Sequence, residues 1–285
     1  MGYLDKVRAC NTWKPGAFRP WTLAGECIGS VRSALADELR RWPDQFRVDA
    51  ERVDWCGAPA GFAARTLVLA EVVRTLVADG LIQPLHGESY AVTPGRRDQA
   101  RCLIDRTAAP WFGVRAFGQH LNGYVRTAQG GVDLWIGRRA ADRRVYPLHL
   151  DNLVAGGLPY GVGLRDNLRK ECREEADIAP ALADQAVAVG AVTYCREARE
   201  GLKPDVMYCY DLELPDDFVP CNTDGEVAAF HRLPLAEVAR LVSDTHEFKL
   251  NCNLVVIDFL VRHGGLDQEH PDYLPIIQGL RSPLP

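Results

Sequence analysis

Residues 63–80, AARTLVLAEVVRTLVADG, place Leu67, Val68, Ala70, Val72, Leu76 and Val77 on one broad apolar face, with Gly80 as a stop. That spacing predicts a helix. ALADELRRWPDQF (34–46) repeats Leu35, Leu39 and Trp42 at helical spacing and predicts a second helix ending at Pro43. FRPWTLAGECIGSV (18–31) reads as short strands around Gly25 and Gly29, and ESYAVT (88–93) as another. DQARCLIDRTAAPWFG (98–113) predicts a further helix, closed by Pro110 and Gly113. Up to about residue 117 the reading is α+β, with no motif that carries chemistry.

From residue 119 the pattern turns to strands. HLNGYVRT and VDLWIGRRA flank AQGG, a combination that predicts a hairpin. LDNLVAGG (150–157) reads as a third strand and LRDNLRKECREEAD (164–177) as a helix. QAVAVGAVTYCRE and VMYCYDLELP predict two strands around a loop AREGLKPD, and EVAAFHRLP a shorter one. LAEVARLV and LNCNLVVIDFLVRHGG close the pattern as helices.

A net charge of −5 argues against an electrostatic nucleic-acid binder. The densest basic cluster, RRAADRR (138–144), reads as a solvated or phosphate-contacting patch. Nine cysteines, an odd number with no Cys-x-x-Cys pair, suit reduced thiols better than a disulfide framework or a zinc site. No apolar run approaches the length of a membrane span, and the N-terminal residues carry no apolar signal core. The expected localisation is cytoplasmic.

The acidic helix draws the eye chemically. Glu171, Glu174 and Glu175 stand at i, i+3 and i+4, on one helical side, where like charges repel. A divalent cation reverses that sign, and Mg²⁺ or Mn²⁺ favours carboxylate and phosphate oxygens. Gly156-Gly157 ahead of the helix permits close backbone approach to a ligand. The bland alternative is a solvated acidic face after an ordinary turn.

The spacing from Gly156 resembles the Nudix hydrolase signature, Gly-x5-Glu-x7-Arg-Glu-U-x-Glu-Glu-x-Gly-U, with U a bulky aliphatic residue. Gly156, Glu171, Glu174, Glu175 and Ile178 match, and Cys172 stands in for an apolar residue. Val162, Lys170 and Asp177 depart, replacing Glu, Arg and Gly. The stretches 104–125, 150–161, 210–230 and 248–264 are similar to a subgroup related to the Nudix region of fungal thiamine pyrophosphokinase fusions.

The resemblance implies an α/β/α sandwich in residues 118–285, with a C-terminal helix, preceded by a smaller α+β domain in 1–117. It implies metal-dependent hydrolysis of a small organic diphosphate, such as thiamine diphosphate or its oxo and oxy analogues. Glu171, Glu174, Glu175 and Glu226 would be ligands or water activators, with Gly156 completing the metal shell. Arg138, Arg139, Lys203, Asn122 and Tyr208 are the candidate substrate contacts, and His120 and His149 read as structural. Two alternatives stay open: a nucleoside-diphosphate-linked substrate, or a non-catalytic diphosphate- or protein-binding module. The oligomeric state is open too, a homodimer included.

Overall fold

The structure, a computed structural model, describes residues 2–285. Helix α1 (Tyr3–Cys10) comes first, then strands β1 (Arg19–Leu23) and β2 (Glu26–Val31), helix α2 (Ser33–Leu39), and strands β3 (Arg47–Val48) and β4 (Val53–Asp54). These strands form one sheet in the order β2-β1-β4-β3. Helix α3 (Phe62–Ala78) and the antiparallel pair β5 (Ser89–Val92) and β6 (Cys102–Asp105) follow. Their shared core is aromatic at its centre: Trp21 stacks on Trp55 at 5.8 Å and tilts against Phe112 at 5.1 Å.

The helix expected over 98–113 is not formed. Cys102–Asp105 is a strand instead, paired Tyr90↔Ile104 and Val92↔Cys102, with Cys102 and Ile104 buried and the residues between them half-buried. Asp105 then ends it, its carboxylate accepting the amides of His86, Gly87 and Thr107. A short apolar run satisfies either period, and here pairing with β5 decided which. Helix α2 also stops earlier than its pattern suggested, at Leu39, before the Trp42–Pro43 turn.

The larger body is built on β7 (Ala116–Arg126), β8 (Val132–Arg139), β9 (Leu150–Asn152), β10 (Val154–Gly157), β11 (Val187–Ala198), β12 (Gly201–Glu213) and β13 (Val227–Pro234). Their order is β11-β12-β7-β8-β13, with β10 on β7 and β9 on β8; β12 runs parallel to β7 and the other pairings are antiparallel. The stretch expected as one strand, 150–157, is thus two, and each half bonds a different neighbour. The loop expected between β11 and β12 shrinks to a tight turn, because pairing runs on to Ala198↔Gly201 and carries Lys203 into the strand.

Side chains alternate along β12 and fill two cores. Met207 and Cys209 join α1, α6 (Leu235–Asp244), α7 (Cys252–Arg262) and α8 (Tyr273–Gly279) on one face, while Tyr210 and Leu212 join α4 (Leu164–Ala176) and α5 (Pro180–Ala183) on the other. The result is a mixed α+β architecture with a helix–sheet–helix sandwich. Helix α1 packs on α6, α7 and α8, although it precedes the smaller sheet in the chain. No helix among the described residues is long and apolar enough to cross a membrane.

Candidate active site

Helix α4 buries Leu168, Cys172, Ala176 and Glu175 toward the sheet. The three glutamates therefore differ in setting although they share one side of the helix. Glu175 is only 8% exposed, and its Oε2 accepts the Ala155 amide of β10 at 2.8 Å. Burial pushes its pKa up to about 8 against that hydrogen bond, and the charges of Asp151, Glu171 and Glu226 push in the same direction. Glu171 is raised too, first by burial, with Lys170 opposing and Glu174 and Glu226 adding. Glu174 is the most open of the three, its side chain 42% exposed.

Gly156 is the seat of Glu171. A Cβ at Gly156 would lie 2.5 Å from Glu171 Oε2 and 2.7 Å from its Cγ. The glycine leaves room for the Glu171 side chain in its present place, and its backbone lies in the extended strand β10, where no special conformation calls for it.

The departures from the signature also have local explanations. Asp177 caps α4 in the left-handed conformation at φ 53°, the place where glycine is usual and Asp or Asn is tolerated. Its amide bonds the Arg173 carbonyl, Ile178 N bonds Cys172 O, and its carboxylate meets Arg173. Lys170 bridges Glu174 at 2.8 Å and Glu171 at 3.3 Å. Burial works against its ammonium, yet these two carboxylates hold its pKa above the ordinary lysine value. With Val at 162 there is no acid to brace the loop, and Arg97 does so from outside: its Nη2 donates to Pro159 O at 3.0 Å and Val162 O at 2.9 Å.

Glu226 reaches the site because its loop is docked on the end of α4. Thr223 donates its amide and its hydroxyl to Glu174 O, and Cys221 N bonds Ala176 O. Asn222 Oδ1 collects the amides of Asp224 and Gly225, and Asp224 Oδ1 that of Glu226. The Glu226 carboxylate pairs with Arg143 at 2.8 Å.

On the other side of Gly156-Gly157 lies a cavity of about 380 Å³. Arg139, Arg143, Arg144, Lys203 and Lys249 line it, joined by Arg106 and Arg196, whereas its acids are Glu200 and Asp205. Such an excess of fixed cations around a confined space selects anions. Of the expected substrate contacts, Arg139 and Lys203 are on this wall. Three others lie elsewhere. Arg138 is spent on Leu148 O and Glu247. Asn122 is buried, donating to Asp211 and accepting from Asn152. Tyr208 stands on the face of β12 opposite Met207 and stacks on Phe117 at 6.4 Å. Asp205, Val206 and Met207 line the cavity, whereas Tyr208, next along β12, packs toward the core under α4 and α5. His149 is half-buried, its Nδ1 against Pro147 O.

Beneath the cavity His120, Asp151 and Cys252 bring their ligand-type atoms within 4.8 Å of one another, which the glutamates do not. This triad does not fit a metal ion. Asp151 Oδ2 is held by Arg139 at 2.9 Å and Lys249 at 3.0 Å, and Oδ1 by Cys252 Sγ and the Asn152 amide. Two fixed cations at that distance oppose a third. Burial alone would raise Asp151, but Lys249, above all, brings it down to about 2. Burial lowers His120 to about 4, so it is neutral at pH 7. The glutamate shelf offers the better donor set for a hard cation: oxygens only, with Glu171 and Glu175 held above their usual pKa by burial and by neighbouring carboxylates.

Sequence reasoning missed Tyr90, Arg106, Arg97, Arg143 and Lys249. Arg143 lay within the basic cluster, and Arg106 and Lys249 within the stretches 104–125 and 248–264 without any spacing that marks them; all five meet the site only through tertiary packing.

A family model described as "Domain of unknown function (DUF4743)" matches residues 2–116. The chain is 41% identical over 298 residues to "Nudix hydrolase 20, chloroplastic" of Arabidopsis thaliana, covering 99% of this chain and 78% of that protein. It is 42% identical over 285 residues to "Nudix hydrolase 24, chloroplastic" of the same plant, with the same coverage of 99% and 78%. An uncharacterized protein of Saccharomyces cerevisiae is 30% identical over 297 residues, covering 96% of this chain and 86% of its own.

Proposed function

We propose, from the premise that this chain belongs to the Nudix hydrolase family, that it hydrolyses the diphosphate linkage of a small organic diphosphate seated in the cationic cavity. One observation carries the reading: opposite fields meet across Gly156-Gly157, cations lining the cavity and glutamates behind it. Members of the family act with divalent metals on small diphosphates. Here Glu171, Glu174, Glu175 and Glu226, with the Gly156 carbonyl, would hold Mg²⁺ or Mn²⁺. Bound there, the ion supplies the positive charge that reconciles the crowded carboxylates and favours attack on phosphorus.

The chain's own groups do the remaining work. Arg139, Lys203 and Lys249 orient the phosphate oxygens, and Asp151 fixes Arg139 and Lys249 in place. Glu226 or Glu175 accepts the proton of the attacking water. A cavity of about 380 Å³ is at the small end of the range for ligand sites, about 300–1,000 Å³. That supports a single-headed diphosphate over a dinucleotide, and with the resemblance of the flanking stretches it supports thiamine diphosphate or its oxo and oxy analogues.

The test is hydrolysis with millimolar Mg²⁺ of thiamine diphosphate and its two analogues, read as released phosphate, and of nucleotide sugars and dinucleotides, read as the two phosphomonoesters formed. Turnover is expected on the first group, reduced at least about a hundredfold by Glu174→Gln or Glu175→Gln. Absence of turnover on the whole panel would overturn the reading.

A further inference from the structure

The residues preceding β7 come into the site from a separate core, and three of their contacts converge on one loop. Tyr160 N bonds Ser89 O at 2.8 Å, with the Tyr160 ring 5.4 Å from that of Phe62. Arg97 donates to the carbonyls of Pro159 and Val162. At Gly157 an added Cβ would lie 2.6 Å from Tyr90 Oη and 3.3 Å from Arg106 Cζ. The first two contacts brace the loop before α4. The third differs in kind, because Tyr90 and Arg106 are also part of the cavity wall.

Arg106 is built to present an edge. Its Nη1 is tied to Glu88 Oε2 at 2.8 Å, and its Cζ lies 5.9 Å from the Tyr90 ring centroid. Among the described residues no hydrogen bond uses its Nε or Nη2, and neither is a buried atom lacking a partner. Those donors are free on a side chain that lines the cavity. Arg106 also senses the charge of Glu171, which lies behind Gly156, one residue from its own seat at Gly157. A guanidinium with one edge anchored and one edge free suits a phosphate group, which it can grip through two hydrogen bonds.

We infer that the N-terminal segment forms part of the substrate site, Arg106 binding the phosphate nearest the acidic helix through its free edge and Tyr90 closing the wall beside it. This rests on the hydrolase reading above. It assigns a role to the segment matched by the family model of unknown function: one wall of an anion site, contributed across the junction.

Inorganic pyrophosphate is the probe, its binding to the full chain followed by calorimetry, alongside turnover on the substrate panel. Arg106→Gln is expected to weaken pyrophosphate about tenfold or more, the loss of a charged hydrogen-bond pair. Tyr90→Phe, which keeps the ring packing, is expected to weaken it about threefold. Arg101→Gln removes an arginine of the same segment that pairs with Glu26 on the surface, and is expected to leave binding unchanged. Wild-type affinity in both Arg106→Gln and Tyr90→Phe overturns the inference while leaving the hydrolase reading intact. Equal weakening by Arg101→Gln also overturns it, since the effect would then be general charge. A wild-type chain that neither binds pyrophosphate nor turns over any substrate removes the hydrolase reading, and this inference with it.

Discussion

Glu175→Gln should make the metal-free protein more stable as the pH rises, even as it removes activity. The carboxyl is 8% exposed and its folded pKa is about 8, against 4.5 for the ordinary group. The folded chain therefore holds a proton between these values that the unfolded chain has released. Stability falls as pH climbs through 4.5 and the full penalty is present above about 8. At about 1.4 kcal/mol per unit the penalty approaches about 5 kcal/mol with every neighbour charged, and about 2–3 kcal/mol once Glu171 shares in the titration. Glutamine never ionises, and its amide oxygen can still accept the Ala155 N–H. For a chain of 285 residues about 2–3 kcal/mol corresponds to melting shifts on the order of 3–5 °C. Melting curves in EDTA from pH 5 to 8.5 should show the wild type falling relative to Glu175→Gln, with the gap narrowing when Mg²⁺ is restored. Parallel curves in EDTA would refute the argument that burial and like charge strain this group.

Gly156→Ala should cost about 1–3 kcal/mol by overpacking against Glu171 and, by displacing that carboxylate, lower kcat/KM about a hundredfold; thermal melting with a turnover assay checks both. Lys249→Met should lower stability by about 3–5 kcal/mol, because it strips the buried Asp151 of one of its two cations; the urea midpoint reports it, and an unchanged midpoint contradicts the network. On the acid side, His120 stays neutral in the fold down to about pH 4 while the unfolded ring protonates from 6.5, so stability falls across that window as pH drops. His120→Asn should flatten that part of the profile and shrink the later loss, from 3.8 toward about 2, to the share of the Asp151 shift that Lys249 and Arg139 supply.

The acidic helix was legible because its chemistry is local. Gly156, Glu171, Glu174 and Glu175 lie within one strand–loop–helix unit, so spacing alone brings them together. The hairpin at AQGG was legible for the same reason. The strand at Cys102–Asp105 was not, since three consecutive apolar residues and an acid carry no period to choose between helix and strand until β5 supplies a partner. Tyr208 lay inside the expected strand, but which face of that strand lines the cavity was not legible, because the neighbours of β12 in the sheet set it.

By itself, then, the sequence determined the elements with strong periods and the carboxylate shelf, both products of near-neighbour spacing. Tertiary structure alone decided the cavity. Arg106 from β6's end, Arg139 from β8, Lys203 from β12 and Lys249 from the approach to α7 are distant in the chain and share no pattern. They face one space because the sheet order and the seating of the N-terminal core on Gly157 put them there. Electrostatic selection of an anion depends on distances in space, and those are set only once the chain has packed.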